Sequence, residues 1–402
     1  MKIPFLKPKQ ETIETKSENK TEFKTFFLSS GTASWSNSNY ASFASEGYIK
    51  NVIAHRCITL LSSAASFIPL RLFRLENGKK NEVKTHPILD LLNRPSKFSS
   101  KMDFFESIYS YKLIAGNVYI RAILFKGKPV ELQVIRPDKV SVLTGKNEEV
   151  CGYRVSYASG DKDFYFNQMN EKCEILHLKS FHPLNEYYGL SAVECARYAI
   201  DQHNEASTYA KALLQNSARP SGALIVKATE YNSGGTLTEP QFVRLKEQLY
   251  DQFSGIGNTG KPMLLEGGLD WKEMSISPRD MDFMENKNSA SREIALAFGV
   301  PPQLLGLPGD STYNNMMEAR IAMWEQTIIP MMSDAILGFS NWLSKLFGEE
   351  IVIEFNKESI SALTHKRETE WEKIIKADFL TEDEKREYFG FPPKLKAGKT
   401  KY

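Results

Sequence analysis

The sequence predicts an α+β protein in which helical and sheet-forming segments are separated along the chain. Residues 49–61 place apolar side chains at helical spacing, and residues 118–179 alternate apolar and polar side chains between short glycine-containing connections. Residues 317–346 repeat an apolar stripe at intervals of three and four. A hydrophobic fraction of 42% in 402 residues is ample for a core.

The N-terminal part predicts a tail followed by a helix and a strand. Residues 1–46 are rich in Ser and Thr without apolar periodicity, so we expect a disordered tail there. Order begins near Gly47, where "YIKNVIAHRCITLLSSAASF" forms one helical stripe that Pro69 ends. The following "PLRLFRL" has the composition of a strand.

Two further helices precede the sheet-forming section. His86-Pro87 opens a short helix, "PILDLLN". Ser100 and Asp103 form a start resembling a capping box for "MDFFESIYSYKLIA", and Gly116-Asn117 ends that helix. Alternation and hairpin-length gaps then predict an antiparallel sheet from six segments: "VYIRAILF", "PVELQVI", "KVSVL", "GYRVSYA", "DFYF" and "CEILHL".

A long helix and a small mixed unit follow the sheet. The helix runs from Leu190 to near Ser217, and "GALIVK" after it is typical of a strand. Thr238 and Gln241 form a capping box for "EPQFVRLKEQLYDQF". We expect "PMLLE" and "DWKEMSI" to pair as a hairpin around 267–268.

The stretch "FSGIGNTGKPMLLE" contains a glycine pattern that resembles two phosphate-binding motifs. Both motifs require a strand before the glycines and a helix after them, because the helix N-terminus binds the phosphate. Here a helix precedes and a strand follows, and Pro262 replaces the Ser or Thr that would bind magnesium. We therefore predict a loop, and we keep a nucleotide-binding enzyme as the alternative.

The remaining reactive side chains give no convincing active site. The four cysteines form no C-x-x-C pair, which argues against zinc, and they are typical of reduced, mostly buried thiols. His177 and His182 are five residues apart, and we interpret them as hydrogen-bonded structural histidines. Cys195 and His203 lie eight positions apart on one helix, about 12 Å, which is too far for a nucleophile and its base. We expect no cofactor and no metal.

Charge and hydropathy limit the class of protein. The formal net charge is +2, whereas a protein that holds nucleic acid by neutralising phosphates usually has a basic excess. The longest notable run without charge, "CITLLSSAASFIPL", is shorter than a membrane span, and the first residues lack an apolar signal core. We expect no membrane insertion, which disfavours a membrane pore.

Residues 279–347 carry the most informative pattern. A helix, "RDMDFMENKNSASREIALAF", is followed by "GVPPQLLGLPGDSTYNN" and by a second helix that runs to about Phe347. Pro330 lies inside the second helix and should kink it. The connection is apolar at its middle, 304–308, whereas a surface loop is usually polar. This segment therefore either packs on the core or faces a special environment.

At this point the sequence resembles the portal proteins of long-tailed phages of the Hong Kong 97 kind. The resemblance covers roughly 47–393 in the family's order, with one departure at "YNNMMEAR", where Glu318 takes the place of the usual Glu with a nearby Gln or Ala. The segments that carry it are "HPILDLLNRPS", "LIAGNVYI", "LQVIRPDKVSV", "EILHLKSFHPLNEYYGLSAVECA", "NSARPSGALIV", "KPMLLEGGLDWKEMSISPRDMDFMENK", "REIALAFGVPPQLLG", "STYNNMMEARIAMWEQTIIPMM" and "FLTEDEKREYFGFPP".

The resemblance implies a portal fold with wing, helical stem, α/β clip, tunnel loop and small helical crown. Its parts would be the tail 1–46, wing 47–189, first stem helix 190–217, clip 218–278, second stem helix 279–299, tunnel loop 300–314, long kinked helix 315–347, and wing return strand with C-terminal crown 348–402.

The implied function is that of a dodecameric ring at one capsid vertex, through which double-stranded DNA is packaged and ejected without chemistry or sequence specificity. The implied partners are the large terminase, a head-tail connector or adaptor, and the major capsid and scaffolding proteins. The protein would be made in the host cytoplasm and reside in the virion. A gene-transfer particle or a prophage remnant could carry the same protein.

The resemblance also assigns two sets of site residues. The tunnel loop would place in the DNA channel Gln303, Leu304, Leu305, Gly306, Leu307, Pro308 and Gly309. The clip would dock partners through Gly255, Gly257, Asn258, Gly260 and Lys261.

Apolar residues on more than one face of the stem helices suggest that neighbouring subunits cover them. On the first helix they are Val193, Ile200, Tyr209 and Leu213, and on the second Phe283, Met284, Ile294 and Phe298.

Overall fold

The computed structural model confirms an α+β protein of helices and small antiparallel sheets. It describes residues 39–76, 79–167, 169, 171–215, 222–226, 238–253, 269–273, 283–307 and 313–388. The α-helices are α1 Tyr40–Ser42, α2 Val52–Phe67, α3 Pro87–Asn93, α4 Lys101–Ala115, α5 Ala192–Cys195, α6 Arg197–Gln215, α7 Glu239–Phe253, α8 Phe283–Ala297, α9 Tyr313–Met323, α10 Ile329–Phe347, α11 Thr364–Ile375 and α12 Glu382–Tyr388.

Strands and short helices complete the described chain. The strands are β1 Leu70–Glu76, β2 Lys79–Val83, β3 Asn117–Phe125, β4 Lys128–Ile135, β5 Val140–Thr144, β6 Val150–Tyr157, β7 Gly160–Tyr165, β8 Ile175–Lys179, β9 Gly222–Val226, β10 Leu269–Glu273 and β11 Ile351–Phe355. Two segments are π-helical, Phe43–Lys50 and Trp324–Ile328, and four are 3₁₀ turns, Pro137–Lys139, Pro302–Leu305, Lys357–Ser359 and Ser361–Leu363.

The predicted tail is wrong over its last residues. Asn39 caps α1 by accepting a hydrogen bond from the Ser42 backbone N–H at 2.8 Å, and the helix continues as the π-helix to Lys50. Phe43 is buried in the main core, and an added Cβ at Gly47 would lie 2.6 Å from Val193. Ser-rich composition concealed this packed helix, and residues 1–38 lie outside the described ones.

The sheet-forming section builds two three-stranded antiparallel sheets rather than the single sheet expected. Their orders are β4-β3-β8 and β5-β6-β7, and the predicted segments supply all six strands. A third sheet, β11-β1-β2, joins strands from opposite ends of the described chain, with Leu72 opposite Ile353. The sequence pattern did not reveal strand β2, because its exposed residues, such as Lys80 and Glu82, are charged.

Most of the core lies in one apolar cluster around α10. Helices α2 and α4 pack against each other, and α10 packs against β11 and β8. Phe104 and Phe105 of α4 place their rings 6.1 Å and 5.7 Å from that of Phe339. A smaller cluster, formed by Tyr119, Val140, Tyr153, Val155, Phe164, Cys173 and Ile175, fills the space between the two sheets of the sheet-forming section.

Two glycines bring distant backbone segments into direct contact. Gly116 ends α4 in the left-handed region, with φ of 70°, and a Cβ there would overlap the Gly189 carbonyl. Asn117 ties the same crossing together, because its Oδ1 accepts the Gly189 N–H at 2.8 Å and its Nδ2 donates to the Gly189 carbonyl at 3.3 Å. Only glycine has both the required φ and the required space at position 116.

We expect Gly116→Ala to destabilise the protein much more than Gly127→Ala. Gly127 also has a positive φ, 78°, but an added Cβ there meets no atom within 4 Å, so that variant measures backbone strain alone, about 1 kcal/mol. Gly116→Ala adds backbone overlap and should cost at least about 3 kcal/mol. Urea unfolding of both variants measures the difference, and equal losses would contradict the crowding argument.

Candidate functional site

The segment after α8 begins with a glycine held by a threonine hydroxyl. Gly299 has φ of 65°, and its N–H donates to the Leu296 carbonyl at 3.0 Å while the Val300 N–H donates to Ala295 at 2.9 Å. The hydroxyl of Thr327 donates to the Gly299 carbonyl at 2.7 Å. An added Cβ at Gly299 would lie 2.7 Å from that hydroxyl oxygen, so the end of α8 and the π-helix Trp324–Ile328 fit closely only with glycine here.

The predicted tunnel loop divides into an anchored half and an outer half. Gln303 lies in the 3₁₀ turn, and the next two residues, Leu304 and Leu305, pack partly buried against the main core. Gly306 then turns the chain with φ of 72° and is exposed. Leu307 is half-buried and is not among the described residues that pack against the main core, and Pro308 and Gly309 lie outside the described residues. That this loop faces a channel stays a prediction.

The long helix behind the loop changes its hydrogen-bond pattern immediately before its proline. Over Trp324–Ile328 the helix is π-helical, and the Ile329 N–H donates to the Trp324 carbonyl. Pro330 follows at the start of α10 and has no N–H to donate. The irregularity expected at Pro330 therefore takes the form of a π-helical insertion on its N-terminal side.

The predicted stem helices bury more of their apolar side chains within the single chain than expected. Helix α6 packs against α8, and Val193, Ile200, Ile294 and Phe298 are all buried within the single chain. The idea that neighbours must cover these four is wrong. Tyr209 is exposed, and the side chains of Leu213, Phe283 and Met284 lie outside the described part. A short turn at Ala196 separates α5 from α6 where one helix was expected.

Large apolar side chains are exposed elsewhere on the single chain. Leu296 of α8 is 79% exposed and Leu337 of α10 is 62% exposed. Ile49 and Val52, at the junction of the first π-helix with α2, are 76% and 65% exposed. A partner that covered these side chains would remove their apolar surface from water.

Comparison with known proteins decides the family. The family model for phage portal proteins matches residues 53–390. The chain belongs to the phage portal protein family. It is 47% identical over 353 residues to an uncharacterised protein of Rickettsia bellii, with 88% of this chain and 89% of that protein covered. The portal protein of Enterobacteria phage HK97 is 24% identical over 298 residues, which are 72% of this chain and 66% of that protein.

A solved structure of the neck of a native gene transfer agent particle, computed with C12 symmetry, is also similar. It is 38% identical, with a TM-score of 0.67 and coverage of 89% of this chain and 95% of that chain. The resemblance to Hong Kong 97-type portal proteins and the portal fold are thus confirmed. The boundaries of wing, stem, clip, tunnel loop and crown stay predictions.

The candidate docking loop of this portal-family chain, Gly255, Gly257, Asn258, Gly260 and Lys261, lies outside the described residues. Its flanks are described: α7 ends at Phe253, and β10 begins at Leu269 and pairs with β9. A helix before the glycines and a strand after them is the reverse of the order in phosphate-binding loops. The expected strand Pro262–Glu266 lies outside the described residues, so the hairpin with β10 stays a prediction.

Three cysteines, Cys57, Cys173 and Cys195, have thiol pKa values above the ordinary value. Burial raises the pKa of the Cys57 thiol to about 12, and burial also raises the pKa of Cys173. Cys195 is exposed, and its pKa is raised by partial burial and by the neighbouring Glu194 carboxylate. A raised thiol pKa leaves less thiolate, so none of these three is poised as a nucleophile. Within the described ranges, no group of three or more His, Cys, Asp or Glu could hold a metal, and no helix is long and apolar enough to span a membrane.

His177 and His182 serve as hydrogen-bonding groups. His177 Nε2 is 3.0 Å from Asn117 Oδ1, and burial together with Lys179 lowers the pKa of His177 to about 3. His182 Nδ1 accepts the Leu184 backbone N–H at 3.0 Å. The two histidines thus have separate hydrogen-bond partners, as the structural interpretation predicted. Sequence reasoning missed Thr327 and the pairing of Asn51 with His203, because a single hydroxyl, amide or imidazole leaves no pattern along the chain.

We expect Leu305→Asp to cost about 2–3 kcal/mol of stability and Leu307→Asp about 1 kcal/mol or less. Both leucines are partly buried, but Leu305 packs on the apolar core, so a carboxylate there loses more hydration than one at 307, which lacks that core contact. Urea unfolding of the two variants gives both values. A larger loss for Leu307→Asp would contradict the division of the loop into an anchored and an outer half.

Proposed function

We propose that this chain is the subunit of a portal ring that conducts double-stranded DNA into and out of a phage or phage-derived particle. The observation that carries the proposal is the portal family match across residues 53–390. Support comes from the neck structure with C12 symmetry, which is similar along almost its whole length, and from the exposed apolar side chains on several helices. The ring is taken to be a dodecamer by analogy with that symmetry.

In this proposal the protein catalyses no reaction and occupies the unique vertex of the capsid after synthesis in the host cytoplasm. The large terminase and then a head-tail connector dock on the clip, and the major capsid and scaffolding proteins surround the wing. The near-neutral charge suits a conduit, because duplex DNA carries a charge about every 1.7 Å and a strongly basic lining would hold each phosphate in turn.

We propose that the particle is a gene transfer agent rather than a phage. The gene transfer agent neck is 38% identical, whereas the HK97 portal protein is 24% identical. Sequencing the DNA inside purified particles separates the two. Host fragments from the whole chromosome support a gene transfer agent, and one viral genome supports a phage; either outcome is compatible with a portal.

We expect Leu296→Asp to weaken ring formation without destabilising the single chain. Leu296 is exposed on α8, so a carboxylate there stays hydrated in the free subunit, whereas burial against a neighbour would remove it from water. Losing one buried leucine costs about 1.5–3 kcal/mol per interface, so the subunit concentration needed for assembly should rise at least tenfold.

Native mass spectrometry and negative-stain electron microscopy measure that assembly. Ser289→Asp, an exposed position on the same helix, is the charge control and should form rings as the parent does. A parent protein that stays monomeric at micromolar concentration would refute the ring.

We expect Leu307→Asp rings to package DNA poorly, most of all at low salt. A ring of added carboxylates at the outer half of the loop repels the phosphate backbone, and salt screens this repulsion. Leu307→Asn has nearly the same shape without the charge and should package close to the parent level. The measurement is nuclease-protected DNA per particle at two salt concentrations. Equal packaging by the Asp and Asn variants would remove Leu307 from the channel.

A further inference from the structure

We propose that His203 and Asn51 form an acid-sensitive latch that holds α6 against the N-terminal helices of the same chain. The latch is a hydrogen-bond network of four residues: Glu46 on the first π-helix, Asn51 at the start of α2, and His203 and Asn204 on α6. It belongs to the fold of one subunit and does not depend on the proposed function.

The orientation of the Asn51 amide is fixed by its role as the N-cap of α2. Its Oδ1 accepts the backbone N–H groups of Ile53 and Ala54 at 3.1 Å and 3.0 Å. The oxygen must therefore face the helix, which turns the amide nitrogen toward α6. That nitrogen lies 3.2 Å from His203 Nδ1 and 3.0 Å from Asn204 Oδ1.

The fixed amide determines the protonation state of the imidazole. An amide nitrogen only donates, so Nδ1 of His203 must accept and can carry no proton. Asn204 extends the network, because its Nδ2 donates to the Glu46 carbonyl at 3.1 Å. Asn51 is fully buried and His203 is 3% exposed. A proton on Nδ1 would place two donors against each other where water cannot replace the lost bond.

The charges around His203 also disfavour its protonated form. Burial, and then the positive charge of Lys287 on α8, lower the pKa of His203 from its ordinary value of 6.5. The N-terminus of α2 adds the partial positive charge of its N–H groups. The carboxylate of Glu46, the acidic group on the first π-helix, is paired with Lys50 at 2.7 Å.

The two acidic residues of α6 do not offset this electrostatic preference for the neutral imidazole. Asp201 and Glu205 lie two positions to either side of His203, and helical side chains two positions apart do not face each other. The network therefore requires a neutral His203 for as long as α6 stays in place.

The direction of the pH dependence follows from comparing two states, the closed latch described above and an open state in which its hydrogen bonds are broken. When the latch opens, His203 becomes hydrated and binds a proton near its ordinary pKa of 6.5. The open state then holds more protons than the closed state, so the closed state is most stable above that pKa and loses stability as the pH falls below it. Each unit of pH below 6.5 can lower the ratio of closed to open molecules by up to about tenfold. At pH 4.5 the ratio can therefore be up to about 100-fold lower.

Amide hydrogen exchange of the full-length protein, followed by mass spectrometry at pH 7.5 and pH 4.5, tests the latch. Rates are expressed as protection factors, which removes the intrinsic pH dependence of exchange. We expect protection in segments 43–54 and 198–208 to fall at the lower pH, by up to about 100-fold. His203→Gln keeps an acceptor without a titrating group and should lose this fall. His55→Gln, an exposed histidine on α2, is the control and should retain it.

A second variant reverses the sign and does not rely on removing the histidine. In Asn51→Asp the carboxylate still caps α2, but it accepts a hydrogen bond from a protonated Nδ1, which raises the pKa of His203. Protection of the two segments should then be equal or greater at pH 4.5. Equal protection in the parent at both pH values would overturn the latch. So would a fall in His203→Gln that matches the parent.

Discussion

The fold depends on the burial of α10, because α4, β8 and β11, which are far apart in the sequence, all pack against this helix. Phe339 is fully buried against α4. The hydroxyl of Ser340 donates to the Ile351 carbonyl and accepts the Ile353 N–H, each at 3.1 Å, which satisfies backbone groups of β11 that β1 does not pair. Trp342 donates its indole N–H to the Cys173 carbonyl at 2.9 Å. These bonds fix the register of the helix on the sheets, which apolar burial alone does not do.

The start of the predicted tunnel loop is positioned by contacts with the helix that continues into α10. The π-helical insertion before Pro330 carries Thr327, whose hydroxyl holds Gly299 at the entrance of the loop. Leu304 and Leu305 then attach the first half of the loop to the same core. The contacts of these two leucines hold the first half of the loop against the core as far as Gly306. If the loop lines a channel, contact with passing DNA falls to its outer half, and the inner half transmits force to the core.

The sequence predicted the elements better than their irregularities. Periodicity located α2, α4, α7 and the strands of the sheet-forming section, because each buries one face in a regular pattern. It missed the helix at 40–50, whose Ser and Gly content resembles a tail, and the division into two sheets, which depends on partners far apart in sequence. For the candidate site, the sequence located the segment of the predicted tunnel loop but did not distinguish its anchored half from its outer half. That distinction depends on which leucines reach the core, and Leu304, Leu305 and Leu307 look alike along the chain.

The segments that carried the family resemblance encode packing rather than chemistry. "LIAGNVYI" and "EYYGLSAVECA" meet where Gly116 crosses Gly189, and "REIALAFGVPP" supplies the Gly299 that Thr327 holds. In an enzyme, a comparable signature would centre on a nucleophile, a base or a metal ligand, because reaction rates depend on those groups. A conduit depends instead on a wall of defined shape, which close backbone crossings and a fixed helix register provide. The lack of a catalytic pattern in the sequence and its strong resemblance to portal proteins are therefore compatible.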